Sequence, residues 1–582
     1  MILQTLLFPD SNTSAEEEKL YVRRNKKGIA LDTYFNLFSI HKWLRYTVLE
    51  ELYLRIEAVG SMEVAFSDEQ GLLDTISIEL LTRGNVDLRV PYRKSSRIIT
   101  CSISYGSEHC AVYRGAYFTP DDFRCRRIKL ALGICTFHRE EALKRNLALL
   151  KKEVLHNPSS PLHECLDVFI SDNGRTLKPE EIRQDHVHVF ANRNAGGSGG
   201  FTRCLVEVLE REEAEGFTHM IFMDDDVKIL PEALIRTYAL LSLMKTEYLD
   251  AVISGAMLRS DLAYIQHESG ALWDGANPRT AHPGLDLRDR EILAENEVIV
   301  RSDYAAWWFA CYPLNAVHRI GLPLPVFIHG DDVEYGLRGK SPVILLNGIC
   351  VWHEPFENKR ASALSYYDVR NTLLLHAIYR PKSGCRTVNQ YLFKRMASLL
   401  LRYRYKDIQL LCKGVRDFLR GIDWLKVEEP EKLNQRVMHM GYSMTPVQEL
   451  THDRKVLQQI REYRKPVSAG EIYVPHSKRH RRKYLLTLNG WLLPAKADRI
   501  YSHPLGVCPY EMYRQKQVLL FDPDSKKGIL LQKNYTEAVK SLFAYTEIMF
   551  CLGFSYKRVS REYHKRFKEL TTLDFWKNYL GI

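Results

Sequence analysis

The chain has 582 residues and a formal net charge of +11, with 45% hydrophobic and 26% charged residues. This length is too great for a single hydrophobic core, so we expect two or three domains. The composition is typical of a globular protein and excludes a largely disordered chain. The positive charge favours an anionic partner, such as a nucleotide phosphate, an anionic lipid or a nucleic acid. A basic surface that serves only solubility explains the charge equally well.

The cysteine pattern and the apolar runs indicate a compartment. Twelve cysteines are spread from Cys101 to Cys551 without a C-x-x-C pair, which argues against a zinc ribbon and fits a reducing cytoplasm. Residues 1–18 lack the basic and apolar regions of a signal peptide. The longest apolar runs, 304–317 and 542–554, are too short to span a bilayer. We therefore expect a cytoplasmic protein, or one that is peripheral on the inner face of the cell membrane.

Three regions follow one another along the chain. Residues 1–125 contain short alternating segments at 62–66, 75–81 and 97–105, which predict a β-sandwich or small barrel. In residues 126–385, strands at 128–135, 165–171, 187–190, 219–223 and 251–255 alternate with helices at 140–155, 202–212 and 230–245. This alternation predicts an α/β fold with a mostly parallel sheet, whose ligands bind at the carboxyl ends of the strands. Residues 386–582 are predicted to be helical, for example at 390–419 and 447–464.

Three consecutive carboxylates, Asp224, Asp225 and Asp226, directly follow the apolar strand 219–223. They repel one another unless a cation neutralises them, and hard oxygen ligands favour Mg²⁺ or Mn²⁺. Alternate residues of an extended segment point the same way, so Asp224 and Asp226 can share one ion. A solvated acidic turn, or a helix cap at Asp226, is the alternative.

A glycine-rich segment precedes the aspartates. Residues 192–201 have the sequence NRNAGGSGGF and open a helix. Such a segment lets the backbone approach a ligand closely, and the first N–H groups of a helix favour a phosphate. It is neither a Walker A loop nor a G-x-G-x-x-G fingerprint.

Two further acidic or imidazole groups follow apolar runs. Asp331 and Asp332 come after residues 322–328, and a carboxylate there can act as a general base. His353 ends the predicted strand 344–352 and is a candidate third metal ligand. Surface carboxylates and an ordinary hydrogen-bonding histidine are the alternatives. Trp307 and Trp308, between these motifs, are either core residues or an aromatic face for a sugar ring.

In this order, the motifs resemble those of the bacterial galactofuranosyltransferases of glycosyltransferase family 2, particularly the mycobacterial galactan polymerases. The likeness extends from residues 32–36 and Trp43 to residues 486–490. It implies a GT-A type nucleotide-sugar-binding core with an N-terminal β-sandwich and a C-terminal helical domain. It also implies an inverting, metal-dependent transfer of galactofuranose from UDP-galactofuranose to a hydroxyl of a glycan or lipid-linked saccharide, with Mn²⁺ or Mg²⁺ as cofactor.

The resemblance also assigns roles to individual residues. Asp332 matches the catalytic base, and Asp224, Asp226 and His353 match the metal ligands. The donor-binding positions are Thr136, Arg139, Asn173, Asn194, Gly197 and Asp225. The acceptor-binding positions are Trp307, Trp308, His329 and Asp331. Contact with a membrane surface and assembly into a homo-oligomer are compatible with the family.

The sequence departs from the family pattern at two places, of which the second, beside Asp331, concerns the acceptor side. His138 stands beside Arg139 where the polymerases have Asn, and His329-Gly330 replaces a Lys-Trp pair. Another nucleotide sugar, with a rhamnosyl, glucosyl or galactopyranosyl group, would leave the same motifs. A carbohydrate-binding protein without catalysis is a further alternative. A basic nucleic-acid-binding protein, suggested by the charge and the basic run 478–483, is more distant because no nucleic-acid module accompanies that run. We therefore expect no nucleic-acid partner.

Overall fold

A computed structural model of the protein describes residues 1–120, 125–356, 361–382, 384–466, 468–472 and 484–582. The basic run 478–483 lies outside these residues. All twelve cysteines are free thiols. Among the helices that the structure describes, none combines the length and the apolar character needed to cross a membrane.

The N-terminal region is one sheet of seven strands. Strand β4 pairs with β5 along one edge, and with β7 and then β6 along the other. The region predicted to be a β-sandwich or small barrel is thus rich in strands, which hydrogen bonds join into one sheet. Polar–apolar alternation specifies a buried face but not which strands pair. The strands are β1 (Ile2–Thr5), β2 (Arg23–Asn25), β3 (Gly28–Ala30), β4 (Tyr53–Asp68), β5 (Gly71–Arg89), β6 (Thr100–Tyr105) and β7 (Ala111–Phe118), with helices α1 (Ala15–Glu18) and α2 (Ile40–Tyr46).

A ten-stranded mixed sheet forms the centre of the molecule and confirms the α/β class. Its strands are β8 (Leu130–Thr136), β9 (Leu166–Asp172), β10 (Val187–Ala191), β11 (His219–Asp224), β12 (Lys228–Ile229), β13 (Val252–Arg259), β14 (Ile265–Glu268), β17 (Leu285–Asp286), β18 (Ala310–Pro313) and β19 (Val343–His353). A separate hairpin joins β15 (Ala271–Trp273) to β16 (Pro278–Thr280). The order β10-β9-β8-β11 is parallel throughout, so the predicted parallel arrangement is confirmed there. Antiparallel β18 then lies between β11 and β13.

Helices surround this sheet. They are α3 (Glu140–Leu150, continued by a π-helical turn, Lys151–Leu155), α4 (Pro179–Ile182), α5 (Gly196–Glu215), α6 (Pro231–Ser242), α7 (Arg290–Asn296), α8 (Leu314–Ile320), α9 (Asp331–Gly339) and α10 (Leu364–Tyr379), with a 3₁₀ turn at Thr246–Tyr248. Helix α5 begins at Gly196, earlier than the predicted residue 202. Glycine is a poor helix former, so the sequence pattern placed the start after the glycines.

The C-terminal region contains the predicted helices and also a four-stranded sheet that the sequence analysis missed. The helices are α11 (Arg386–Leu400), α12 (Tyr405–Leu419), α13 (Ile422–Val427), α14 (Pro430–Met440), α15 (Val447–Leu450), α16 (Arg454–Arg461), α17 (Ala469–Ile472), α18 (Tyr535–Arg566) and α19 (Leu573–Leu580), with 3₁₀ turns at Pro509–Met512 and Phe567–Leu570. The sheet has the order β20-β23-β22-β21. Its strands are β20 (Thr445–Pro446), β21 (Ile500–Pro504), β22 (Gln517–Phe521) and β23 (Lys527–Gln532).

Packing crosses both predicted domain boundaries. One hydrophobic cluster contains residues of the N-terminal sheet and of the central sheet, and buried Lys42 Nζ lies 3.2 Å from Glu297 Oε1 across that junction. Helix α10 packs in the same cluster as α12 and α18. Helix α19 returns to the core, where Trp576 Nε1 donates to the Pro323 carbonyl at 2.8 Å. The boundaries at 125 and 385 therefore mark changes of sequence pattern between parts that share their cores.

Candidate active site

The candidate residues converge because several strands end at one edge of the central sheet. Parallel strands β8, β9, β10 and β11 place Thr136, Asp172 and Asp224 at or near this edge. Strand β19 is parallel to β13 and ends there with His353. Carboxyl ends of parallel strands form the ligand-binding crevice of an α/β sheet, so the structure brings the sequence-predicted motifs together.

The atoms of Asp224, Asp226 and His353 that can bind a metal lie within 4.8 Å of one another. His353 Nε2 is 3.3 Å from Asp226 Oδ1 and 4.0 Å from Asp224 Oδ2. The cause is local, since β12, which follows the aspartates, pairs with β19 beside His353. Two carboxylates and one imidazole suit Mn²⁺ or Mg²⁺ through their oxygens and Mn²⁺ through the nitrogen.

Arg139 is the cation that contacts this acidic turn. Its Nη1 lies 3.1 Å from Asp225 Oδ1 and 2.7 Å from Asp226 Oδ2. Burial raises the pKa of Asp225, and the guanidinium of Arg139 opposes that rise. The adjacent carboxylates of Asp224 and Asp226 repel each other, and a divalent cation between Asp224, Asp226 and His353 would relieve that repulsion. Asp225 is not part of the Asp224–Asp226–His353 cluster.

Asparagines shape the backbone next to the glycine-rich segment. Asn173 receives a hydrogen bond from Asn192 at 2.8 Å and donates to the Gly196 carbonyl at 2.9 Å. Its backbone N–H donates to the carbonyl of Thr136. Asn194 Oδ1 accepts from the Gly196 N–H at 3.0 Å. Asn173 and Asn194 thus fix the entry into α5, in addition to any contact with a donor.

The glycines of α5 have a packing role that the sequence analysis did not foresee. Gly196 has φ +70°, and a Cβ atom there would lie 2.0 Å from the Phe327 carbonyl oxygen. Ser198 holds the same residue, because Phe327 N–H donates to its Oγ at 3.1 Å. A Cβ atom on Gly197 would lie 3.7 Å from Asp331 Oδ2. The glycine-rich segment therefore packs against the loop that leads into Asp331 and Asp332.

Buried Asp331 and partly buried Asp332 lie side by side at the first turn of α9. Burial raises the pKa of both carboxyl groups, and the charge of Asp332 raises the pKa of Asp331 further. The backbone N–H of Val333 donates to Asp332 Oδ1 at 2.7 Å and opposes this rise. A carboxylate with a raised pKa is a stronger proton acceptor near neutral pH than an ordinary aspartate.

His329 lies just before this pair in the sequence and contacts Asp368. Its Nδ1 lies 2.8 Å from Asp368 Oδ1, and Asp368 also pairs with Arg395. Burial alone would lower the pKa of His329, but the hydrogen bond and charge of Asp368 raise it. Asn371 donates to the carbonyls of Ile328 and His329 at 2.8 and 2.7 Å. The sequence analysis missed Asp368 and Asn371, because nothing in a helical pattern marks residues that reach a distant loop.

The structure places the two adjacent tryptophans in the core. Trp307 is 5% exposed, and its ring lies 4.7 Å from that of Phe222. Trp308 is 7% exposed, and its Nε1 donates to the Gly255 carbonyl at 2.9 Å. This burial favours the core alternative for both and corrects the expectation of an open aromatic face. Phe356, whose ring centroid is 6.0 Å from that of Trp308, is 44% exposed at the same edge.

Glu268, at the end of β14, is a buried carboxyl group that the sequence analysis did not select. Burial, followed by the charge of Asp332, raises its pKa to about 8. Its signal in the sequence is weak, since a single glutamate in the segment 265–268 carries no motif. Asp331, Asp332 and Glu268 therefore give this side of the site three carboxyl groups that can bind a proton.

Known proteins are similar to this chain in sequence. No protein-family model matches the chain. Galactofuranosyltransferase GlfT2 of Mycolicibacterium smegmatis is 28% identical over 437 residues, which cover 68% of this chain and 64% of that protein. The chain thus matches slightly under two thirds of this relative's length. Galactofuranosyltransferase GlfT2 of Mycobacterium tuberculosis is 23% identical over 471 residues, covering 72% of this chain and 70% of that protein.

Similar solved structures include the mannosyltransferase PcManGT from Pyrobaculum calidifontis in complex with GDP-Man and Mn²⁺. It has a TM-score of 0.28 and 11% identity and covers 55% of this chain and 86% of that chain. A likeness this loose supports no conclusion about the fold or ligands of this chain. The sequence relatives do confirm the expected resemblance: over most of its length, this chain is similar to mycobacterial galactofuranosyltransferases.

Proposed function

We propose that the protein is a glycosyltransferase with a GT-A type core, which transfers galactofuranose from UDP-galactofuranose to a hydroxyl of a glycan or lipid-linked saccharide. The observation that carries the proposal is the meeting of two acidic groups at one sheet edge: the Asp224–Asp226–His353 cluster and the pair Asp331 and Asp332 at the start of α9. The similarity to galactofuranosyltransferases supports the sugar.

Asp224, Asp226 and His353 would hold the metal. A bound Mn²⁺ or Mg²⁺ neutralises negative charge on a diphosphate leaving group. At the N-terminus of α5, beside Asn173 and Asn194, the Gly196 N–H is bonded to Asn194 Oδ1, and the Ser198 and Gly199 N–H groups are bonded to backbone carbonyls. The N–H of Gly197 is therefore the proposed donor contact of this turn. Arg139 keeps the acidic turn in place through its pairs with Asp225 and Asp226.

Asp332 is the proposed base of an inverting single displacement. Its carboxylate removes the proton from an acceptor hydroxyl while that oxygen bonds to the anomeric carbon from the face opposite UDP. The bond between that carbon and the diphosphate oxygen breaks, and UDP leaves with the electron pair. Positioning and charge neutralisation supply most of the rate gain. The raised pKa of Asp332 suits a base that works near neutral pH.

The direct test is incubation of the protein with Mn²⁺, UDP-galactofuranose and candidate glycan or lipid-linked acceptors, followed by mapping of the product linkage. A parallel series with UDP-glucose, UDP-galactopyranose and a dTDP-rhamnose donor tests the alternative donors. Preferred turnover of a pyranose or rhamnosyl donor would replace galactofuranose while retaining glycosyl transfer. Absence of turnover with every donor, in a protein that binds UDP, would favour a binding protein without catalysis.

A further inference from the structure

A second group of metal-ligating side chains lies at the opposite edge of the central sheet from the candidate active site. Its central carboxylate is Asp167 on β9, which is only 3% exposed. The same strand ends at Asp172, at the active-site edge, and five residues of extended chain span about 17 Å. The group is therefore separate from the Asp224–Asp226–His353 cluster.

Two histidines contact this carboxylate, because β10 pairs with β9 in parallel register. His188 Nε2 lies 3.0 Å from Asp167 Oδ2, and His186 Nδ1 lies 3.1 Å from Asp167 Oδ1. Their spacing of two residues puts both side chains on one face of the sheet. The ring of His188 stacks on that of Phe169, with centroids 4.6 Å apart. This stacking holds the His188 nitrogen towards the carboxylate.

Glu215, the last residue of α5, adds a second carboxylate. The ligand atoms of Asp167, His188 and Glu215 lie within 4.8 Å of one another, and we name these three residues the distal cluster. The last carbonyl groups of a helix carry partial negative charge, which favours a cation beside the end of α5. The side chains of His188 and Glu215 are 29% and 31% exposed, so an ion can enter from solvent.

A lysine lies beside the two carboxylates of the distal cluster. Lys129 Nζ is 3.4 Å from Asp167 Oδ1 and 3.6 Å from Glu215 Oε2. Both distances exceed the length of about 2.7–2.9 Å that is typical of a charge-assisted hydrogen bond. The ammonium group also lies 4.4 Å from the centroid of the Phe217 ring. It can therefore stay on that ring while an ion takes the space between the carboxylates.

We propose that the distal cluster binds a divalent transition-metal ion, and that Zn²⁺ matches its ligands best. Two carboxylates and one imidazole, with water in the fourth position, form a zinc ligand set. His186 orients Asp167 from outside this set, as hydrogen-bonding groups around metal ligands do. The ion joins the end of α5 to the first residues of β9 and β10, so its role is structural. The proposal is independent of glycosyl transfer, because metal binding and melting are measured without turnover.

The test is titration of the full chain with Co²⁺, whose visible absorption reports its ligands. The Asp226→Asn variant, in which the active-site cluster is altered, is the background for every measurement. We expect it to bind Co²⁺, and the further change Glu215→Gln should weaken that binding by at least about tenfold. The matched control adds Glu213→Gln, an exposed glutamate of the same helix, and should bind as the background does. Zn²⁺ should raise the melting temperature of the background and the control, but not that of the Glu215→Gln protein.

A lysine variant separates a metal site from a network of ion pairs. In the same background, Lys129→Met should raise the Co²⁺ affinity by about tenfold, because its ammonium group competes with the ion for both carboxylates. In a network without a metal, Lys129→Met would bind no Co²⁺ and would only lower the melting temperature, and that result would overturn the proposal. Equal Co²⁺ affinity in the Glu215→Gln and Glu213→Gln proteins would also overturn it. Circular dichroism establishes that each variant is folded.

Discussion

His353 Nε2 lies 3.3 Å from Asp226 Oδ1, although the two residues belong to distant parts of the sequence. The short antiparallel pairing of Lys228 with Trp352 brings them together, because it places the residues after the aspartates next to the end of β19. The contact is thus a product of sheet topology. It places an imidazole nitrogen beside the Asp224–Asp226 turn, which itself contains only carboxylates.

The first prediction concerns this cluster. Asp226→Asn should weaken Mn²⁺ binding by at least about 100-fold, since an amide oxygen carries no charge for the cation. Metal titration followed by electron paramagnetic resonance measures the affinity, and transfer assays should show a parallel loss. Asp250→Asn, which alters a half-exposed carboxylate paired with Arg319, is the matched control and should leave both unchanged. Unaltered Mn²⁺ affinity in Asp226→Asn would remove Asp226 from the metal site.

The second prediction concerns the base. Asp332→Asn should lower kcat by about 10²–10⁴-fold, while the affinity for UDP stays within a few fold because the α5 entry and the metal cluster are untouched. Isothermal titration with UDP and initial-rate assays separate the two effects. In the parent, burial raises the pKa of Asp332, so the rate should decline on acidification well above the pH at which an ordinary aspartate titrates. Transfer at the parental rate by Asp332→Asn would disprove this assignment.

The third prediction concerns the packing of Gly196 against Phe327, in the loop that precedes Asp331 and Asp332. Gly196→Ala combines a positive φ of +70° with a Cβ atom 2.0 Å from the Phe327 carbonyl oxygen, whereas Gly216→Ala has φ +75° with open space around the added atom. Both changes should cost about 1 kcal/mol of stability for the backbone conformation. Only Gly196→Ala should also displace the Phe327 loop and lower kcat. Thermal melts and transfer rates of the two variants provide the comparison. Equal activity in both would show that the contact between Gly196 and Phe327 does not position the loop for catalysis.

Much of this site was predictable from the sequence because its chemistry follows buried strands. The runs before Asp224 and His353 are apolar enough to specify strands, and parallel strands present their carboxyl ends together. The class of the central sheet and the proximity of Asp224, Asp226 and His353 could therefore be predicted. Asp368 and Asn371 were not, since they lie on α10 and act on a loop through contacts that only tertiary packing creates.

Other features could not be predicted from the sequence, because they too depend on tertiary packing. The sequence left Trp307 as either a core residue or an acceptor-side aromatic, and ring packing against Phe222 and Tyr335 buries it. The four strands from β20 to β23 were missed because they are short and interrupt a region of strong helical periodicity. A pattern of apolar residues indicates that a segment packs, but the partner it packs against is decided by the whole fold.

The last prediction concerns the buried carboxyl group of Glu268. Burial and the charge of Asp332 together raise the pKa of this group from 4.5 to about 8. A raised folded-state pKa means that the neutral form is favoured, so stability is fully present below the unfolded pKa and is lost as pH rises towards 8. Glu268→Gln cannot ionise. Its melting temperature should match that of the parent near pH 4 and exceed it by about 2–4 °C at pH 8 and above.

The same variant distinguishes Glu268 from Asp332 as the base. At pH 7 the parental Glu268 is mostly protonated, so Glu268→Gln should keep transfer within a few fold of the parent, in contrast to Asp332→Asn. Melting curves across the pH range, read beside initial rates at pH 7, check both statements. A loss of transfer in Glu268→Gln as large as that in Asp332→Asn would show that Glu268 takes part in proton removal, and a melting difference independent of pH would show that its carboxyl is ionised in the folded protein.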